Sequence, residues 1–113
     1  TFWTLMKGLL AGKIRRDHKF AEGDSRPGYA IFQGASRERA HQIVDGMNRV
    51  AEEAGLTTAQ LVIGWVLSQP GITMALVGGH KPDQIRETAL ARPLSPLLCN
   101  AIDQIVVESG STF

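Results

Sequence analysis

Ile72-Thr73-Met74-Ala75-Leu76-Val77-Gly78-Gly79-His80-Lys81-Pro82 is the stretch that decides the fold. Ile72–Val77 is mostly apolar without alternation, which predicts a strand covered on both faces, as in a parallel sheet flanked by helices. Gly71 and Gly78 bound it. Pro82 stands where the first residue of a helix belongs, and that helix is expected to run to about Ala91. A covered strand needs neighbours on both edges, because unpaired backbone donors and acceptors are otherwise left open. The one other candidate strand is the apolar run Phe2–Met6, so the remaining strands are expected to lie outside these 113 residues.

Outward from this stretch the signals are helical. Thr57-Thr58-Ala59-Gln60 is a capping-box signature. It opens a segment with Leu61, Val62, Ile63, Trp65, Val66 and Leu67, apolar nearly all round and therefore buried on several sides, which Pro70-Gly71 is expected to stop. Upstream, Ala40, Ile43, Val44, Met47, Val50, Ala51 and Ala54 recur at helical spacing, with Ser36 as the expected N-cap and Gly55 in a C′ position. Downstream, Ser95-Pro96 announces a last helix with Leu97, Leu98, Ala101, Ile102, Ile105 and Val106 as its apolar stripe. Between Ile14 and Ala35 no periodicity survives, which predicts a mobile segment, either a functional loop or a disordered one. The alternation of strand and helix predicts an α/β parent of layered or barrel architecture. No internal repeat is present.

Composition narrows the function. A formal charge of +1 argues against nucleic acid or an anionic membrane as partner. A lone cysteine, Cys99, cannot form an intramolecular disulfide and fits a reducing compartment, so a cytoplasmic location is expected. No apolar run approaches the roughly 20 residues that span a bilayer. The opening Thr1-Phe2-Trp3-Thr4-Leu5 has no signal-peptide pattern and reads like the middle of a strand. The closing Gly110-Ser111-Thr112-Phe113 shows no stop signal, so a piece of a larger protein is expected.

The turn after Val77 carries the chemistry. Two glycines allow close backbone approach and positive φ. The free N–H groups and positive dipole end of the next helix face that turn, beside Lys81 and His80. This set suits an anion, above all phosphate, which barrels bind after their last strands. The alternative is a plain βα turn with Lys81 solvated. A second basic set, Lys7, Lys13, Arg15, Arg16 and Arg26, could fold over a dinucleotide, or could be a solvated loop balanced by Asp17, Glu22 and Asp24. Cys99 reads as a packed thiol, and His41 as riding a solvated helix face.

Four ordered motifs resemble the aldo-keto reductase family. Leu5-Met6-Lys7-Gly8-Leu9-Leu10-Ala11-Gly12-Lys13 is similar to its Pro-Leu-x-x-Gly-Leu-Leu-Thr-Gly-Lys segment, and Gly23-Asp24-Ser25-Arg26 to its Gly-Asp-x-Arg. Thr58-Ala59-Gln60-Leu61 through Trp65-Val66-Leu67 looks like its Ala-Gln-Leu-Ala-Leu-x-Trp-Val-Leu helix. Residues Val77 through Thr88 track its Gly-Ala-Ser-Arg-Pro-Glu-Gln-Leu-x-Glu-Asn.

The resemblance narrows the fold to the C-terminal part of a (β/α)8 barrel, incomplete on its own, and implies binding of NADP(H) and a parent enzyme that reduces aldehydes or ketones by hydride transfer. An alternative is a cofactor-binding, non-catalytic regulatory subunit. It also implies roles by position. Trp3, Thr4, Leu5, Met6, Lys7 and Gly8 would line the nicotinamide and pyrophosphate path, and Lys13 and Arg26 would contact or close over pyrophosphate. Gly78, His80 and Lys81 would hold the 2′-phosphate, and Gln84, Glu87 and Thr88 would meet adenine. Trp3-Thr4 stands where the family has Ser-Pro, Lys81 where it has arginine, His80 where it has serine, and Thr88 where it has asparagine. The family's catalytic Asp, Tyr, Lys and His set lies upstream of the matched region. Tyr29, His18 and His41 do not match it, so no catalytic residue and no metal ligand is assigned. The implied partners are a small carbonyl substrate and the remainder of the barrel; oligomeric state is left open.

Overall fold

The structure, a computed structural model, describes residues 1–110; Ser111, Thr112 and Phe113, part of the terminus read for stop signals, lie outside the described residues. Among the described residues four helices carry it: α1 (Gly34–Ala54), α2 (Thr58–Leu67), α3 (Pro82–Ala89) and α4 (Pro96–Glu108). Short 3-10 segments at Met6–Ala11, Arg26–Gly28 and Ala30–Phe32 precede them.

The caps explain the helix bounds. At α2, Thr57 Oγ1 accepts from the Gln60 N–H at 3.2 Å and the Gln60 side chain accepts from the Thr57 N–H at 3.1 Å, the reciprocal box expected. Ser95 caps α4 by accepting from the Leu98 N–H, and Pro96 fills its first turn. Gly55 ends α1 at φ 69°. Three boundaries differ from expectation. Gln33, not Ser36, is the N-cap of α1. The last residue of α2 is Leu67, and its chain turns through Ser68 before Pro70-Gly71. The last residue of α3 is Ala89 rather than Ala91.

Packing centres on α1 and α2. Met47, Ala51, Leu61, Val62 and Ile102 form one buried cluster, with Leu61 fully enclosed. Gly46 lets α4 approach α1, since a Cβ there would lie 2.8 Å from Ile105 Cγ2. Trp65 Nε1 donates to Asp103 Oδ1 at 2.9 Å and ties α2 to α4. The expected stripe of α4 holds at Ile102 but not at Leu97, which is 79% exposed at the helix start. A second cluster, Leu9, Ile14, Phe32, Ala40 and Val44, anchors the 14–35 segment on α1. That segment is therefore not structureless: it holds two 3-10 turns, and Phe32 is buried.

Neither expected strand forms a ladder among the described residues. Phe2–Met6 is a turn leading into the first 3-10 segment, with left-handed φ at Trp3 and Met6. Ile72–Val77 is unassigned chain, yet it makes one rung of a pair: the Thr1 nitrogen donates to Met74 O at 3.4 Å and Leu76 N donates to Thr1 O at 3.0 Å. Flanking one residue by bonds to two positions a residue apart on either side is the parallel pattern. Thr4 Oγ1 adds a bond to Leu76 O at 2.9 Å. The physical reason for the missing ladder is the lack of further partners: Phe2, Met74 and Leu76 are 76%, 62% and 59% exposed.

His41 is a further correction. It is only 3% exposed, and its Nε2 and the neighbouring Arg37 Nε are buried without a hydrogen-bond partner among the described residues.

Candidate functional site

A cleft of about 690 Å3 opens between the first segment, the 24–26 part of the loop, the start of α2, and the turn into α3. It gathers Trp3, Thr4, Leu5, Lys7, Gly8, Lys13, Arg26, Gly78, His80, Gln84, Glu87 and Thr88. Four expected members stay out: Arg15 pairs with Asp17, and Arg16 with Glu38 and Asp45, away from the cleft lining. Met6 turns to a separate apolar cavity of about 310 Å3 with Trp65 and Ile102, and Lys81 is the exposed N-cap of α3, outside the cleft lining. The cleft also takes Ala11, Ile14, Asp24, Ser25, Ala59, Leu76 and Val77. Asp24, Ser25 and Ala59 sit inside motifs already singled out, so their spacing was a usable signal. Nothing local in sequence marks Ile14 or Leu76.

The cleft's cations differ in how they are compensated. Lys13 Nζ meets Glu87 Oε2 at 3.2 Å, bridging the first segment to α3. Arg26 Nε lies 3.0 Å from both oxygens of Asp24, whose Oδ1 also accepts the Arg26 N–H at 2.9 Å. Those bonds to the guanidinium hold the Asp24 carboxyl down at about 2, and the same pairing raises the Arg26 pKa. The Arg26 guanidinium also lies 4.8 Å over the Phe20 ring. Lys7 has no carboxylate partner among the described residues; its Nζ sits 4.7 Å from the Trp3 ring centroid and 4.5 Å from that of Tyr29.

The turn before α3 is built differently from the expectation. Gly78 and Gly79 do not have positive φ. A Cβ at Gly79 would lie 2.3 Å from Ile85 Cδ1, so that side-chain end would have to move, whereas Gly78 faces open space. The His80 N–H donates to Gln84 Oε1 at 2.8 Å, so one amide facing the turn is already engaged by the helix it precedes. Thr88 Oγ1 donates to Gln84 O at 3.0 Å, and Gln60 Nε2 donates to Glu87 O at 2.9 Å, fixing α3 to α2. Asp83, in the first turn of α3, pairs with Arg86 at 2.7 Å. The site is thus an open, mixed polar groove suited to an elongated ligand with anionic groups. Among the described residues no cluster of His, Cys, Asp and Glu could hold a metal ion, and no helix is long and apolar enough to cross a membrane.

The model of the Aldo/keto reductase family matches residues 1–107. A probable voltage-gated potassium channel subunit beta from Arabidopsis thaliana is 30% identical over 115 aligned positions, covering 94% of this chain and 34% of that protein. Aldo-keto reductase YhdN from Bacillus subtilis is 31% identical over 85 positions, covering 74% and 26%. Among solved structures, a glycerol dehydrogenase from Gluconobacter oxydans superposes with a TM-score of 0.82 at 29% identity, covering 95% of this chain and 33% of that one. The chain therefore spans about a quarter to a third of the length of these relatives.

Proposed function

The chain belongs to the aldo/keto reductase family, and from that premise we propose that it is the cofactor-binding, C-terminal portion of a (β/α)8 barrel oxidoreductase that reduces aldehydes or ketones with NADP(H). The observation that supports this reading is the cleft itself, which collects the residues singled out from the sequence for a dinucleotide except Met6, Arg15, Arg16 and Lys81. The exposed Phe2, Met74 and Leu76 fit the remainder of the barrel as their cover. In this reading residues 1–113 are one segment of a single domain, with 14–35 as its cofactor loop.

The residues present suit the group. Backbone at Leu5–Gly8 and the cations Lys7, Lys13 and Arg26 would meet the diphosphate, and Gly78, His80 and Lys81 the 2′-phosphate. Gln84, Glu87 and Thr88 would border the adenine, with Gln84 ordering the turn and Thr88 held by the helix backbone. When bound, the nicotinamide supplies the hydride. This chain's own residues bind and orient; the proton donor for the developing alkoxide belongs to residues outside this sequence.

A second reading is favoured by the channel-subunit relatives: a barrel that binds the same cofactor for regulation rather than turnover. Both rest on the cleft, and assay separates them. Binding of NADPH and NADH to the full-length protein, followed by turnover of small aldehydes, is the test. Lys81→Ala should weaken NADPH about 1.5- to fivefold and NADH less, because an exposed charge contact is worth about 0.2–1 kcal/mol. Binding without turnover selects the regulatory reading, and absence of dinucleotide binding overturns both.

A further inference from the structure

Two buried side-chain nitrogens, Arg37 Nε and His41 Nε2, have no hydrogen-bond partner among the described residues. Both belong to α1 and stand four positions apart, so the two side chains are neighbours on one face of the helix. Enclosed polar groups are nearly always hydrogen-bonded, and leaving one unmet costs more than an average bond contributes. Two such groups on one face point to a shared partner.

The surroundings hold both groups in place. Arg37 Nη2 donates to the His18 carbonyl oxygen at 2.9 Å, and the guanidinium lies 5.5 Å from the Phe20 ring centroid. Arg37 is thus a seat on which the 14–35 segment rests. His41 is 3% exposed and lines a cavity of about 400 Å3 with Gly12, Ile14, Arg16, Asp45 and Asn48. Of that lining only Ile14 also borders the cofactor cleft, so this is a different place in the fold.

Charge selects the partner. Arg16 Nη1 meets Asp45 at 2.7 Å and Arg16 Nη2 meets Glu38 at 3.2 Å. Together with Arg37 these are the charged groups acting on His41, two guanidiniums and two carboxylates. A balanced set offers no net field to an ion, which would still have to shed its hydration. The partner must accept from Arg37 Nε–H, which can only donate, and must suit an imidazole nitrogen that can accept. We propose that an ordered water is bound between Arg37 and His41, accepting from Arg37 Nε–H and donating to His41 Nε2, and that it fixes the guanidinium beneath the 14–35 segment. Buried waters serve polar groups in this way, and the cavity at His41 is the route from solvent. The proposal is independent of the dinucleotide reading.

The test uses the full-length protein, with water itself as the probe. In nitrogen-edited magnetic resonance spectra the Arg37 Nε proton should give a direct cross-peak to a long-lived water. His41→Phe should abolish that cross-peak, and His41→Gln, which keeps a polar end at the same place, should retain it. Urea midpoints supply a second measurement. Arg37→Met and His41→Phe should each lower the midpoint, and the double variant should lower it by less than the sum, because removing both groups leaves neither one unmet. Additive losses overturn the shared water. An Arg37 Nε proton bonded to a protein acceptor, with no water contact, overturns it as well. A midpoint raised by chloride or phosphate at constant ionic strength, with the rise lost in His41→Phe, overturns it in favour of a bound anion.

Discussion

The Lys13 ammonium and the Glu87 carboxylate meet at 3.2 Å, joining positions 74 residues apart across the mouth of the cleft. An anionic ligand that recruits Lys13 must compete with Glu87. Exposed ion pairs of this kind contribute about 0.2–1 kcal/mol. Glu87→Gln should therefore raise affinity for pyrophosphate or NADPH about 1.5- to fivefold, while leaving the thermal midpoint nearly unchanged. Isothermal titration of the two proteins checks it; weaker binding in Glu87→Gln would mean that the carboxylate itself contacts the ligand.

Asp24 orders the turn within the 14–35 loop by fixing Arg26 in side chain and backbone. Its carboxyl titrates at about 2, below the ordinary carboxylate value of 3.8. A depressed carboxylate contributes above the unfolded value and loses that contribution as pH falls through the folded one. That turn should thus keep its order down to about pH 4 and loosen between about pH 4 and 2. Asp24→Asn should show the loosened state at neutral pH, read as faster cleavage within 14–35.

Two glycines should respond differently to an added methyl. At Gly64 on α2 a Cβ would lie 2.5 Å from the Arg92 carbonyl oxygen, which is backbone and cannot move aside cheaply. At Gly79 it would meet Ile85 Cδ1, the free end of a side chain that is 48% exposed. Gly64→Ala should cost about 1–3 kcal/mol, the range for overpacking, and Gly79→Ala clearly less. Urea denaturation of the full-length variants gives both numbers.

His41 should make the fold sensitive to mild acid. Burial lowers its pKa, and the nearby Arg16 and Arg37 lower it further against smaller opposing effects of Asp45 and Glu38. A histidine whose folded pKa is depressed takes up its proton more readily when unfolded, so stability falls as pH drops below the ordinary value of about 6.5. The urea midpoint should decline between about pH 7.5 and 5, and His41→Gln should flatten that decline.

The helices were legible because their signals are local. Thr57 with Gln60, Ser95 with Pro96, and Gly55 each act within one turn of chain, and each appears where its spacing placed it. The cleft was legible because its motifs are contiguous, from Leu5 to Lys13 and from Val77 to Thr88. The strands were not, because a ladder depends on neighbours: among the described residues Ile72–Val77 finds one backbone rung from Thr1 and a side-chain bond from Thr4. The pairings that set the site's charge were also hidden. Lys13 with Glu87 is a long-range contact, and Lys7 among Trp3 and Tyr29 requires a left-handed turn that no glycine signal marks at positions 3, 6 and 7. His41 was misplaced because helical periodicity alone does not show that the 14–35 segment covers that face of α1.

The left-handed residues Trp3, Met6 and Lys7 imply a stability–activity trade-off written into the backbone. Glycine adopts such angles without the steric cost that other side chains incur, which is of order 1 kcal/mol or more. Replacing Lys7 with glycine should therefore give a protein that melts later and binds anions worse. Selection for thermal robustness would push this segment toward glycine, and retention of lysine there would report that the ligand, not the fold, decides the residue.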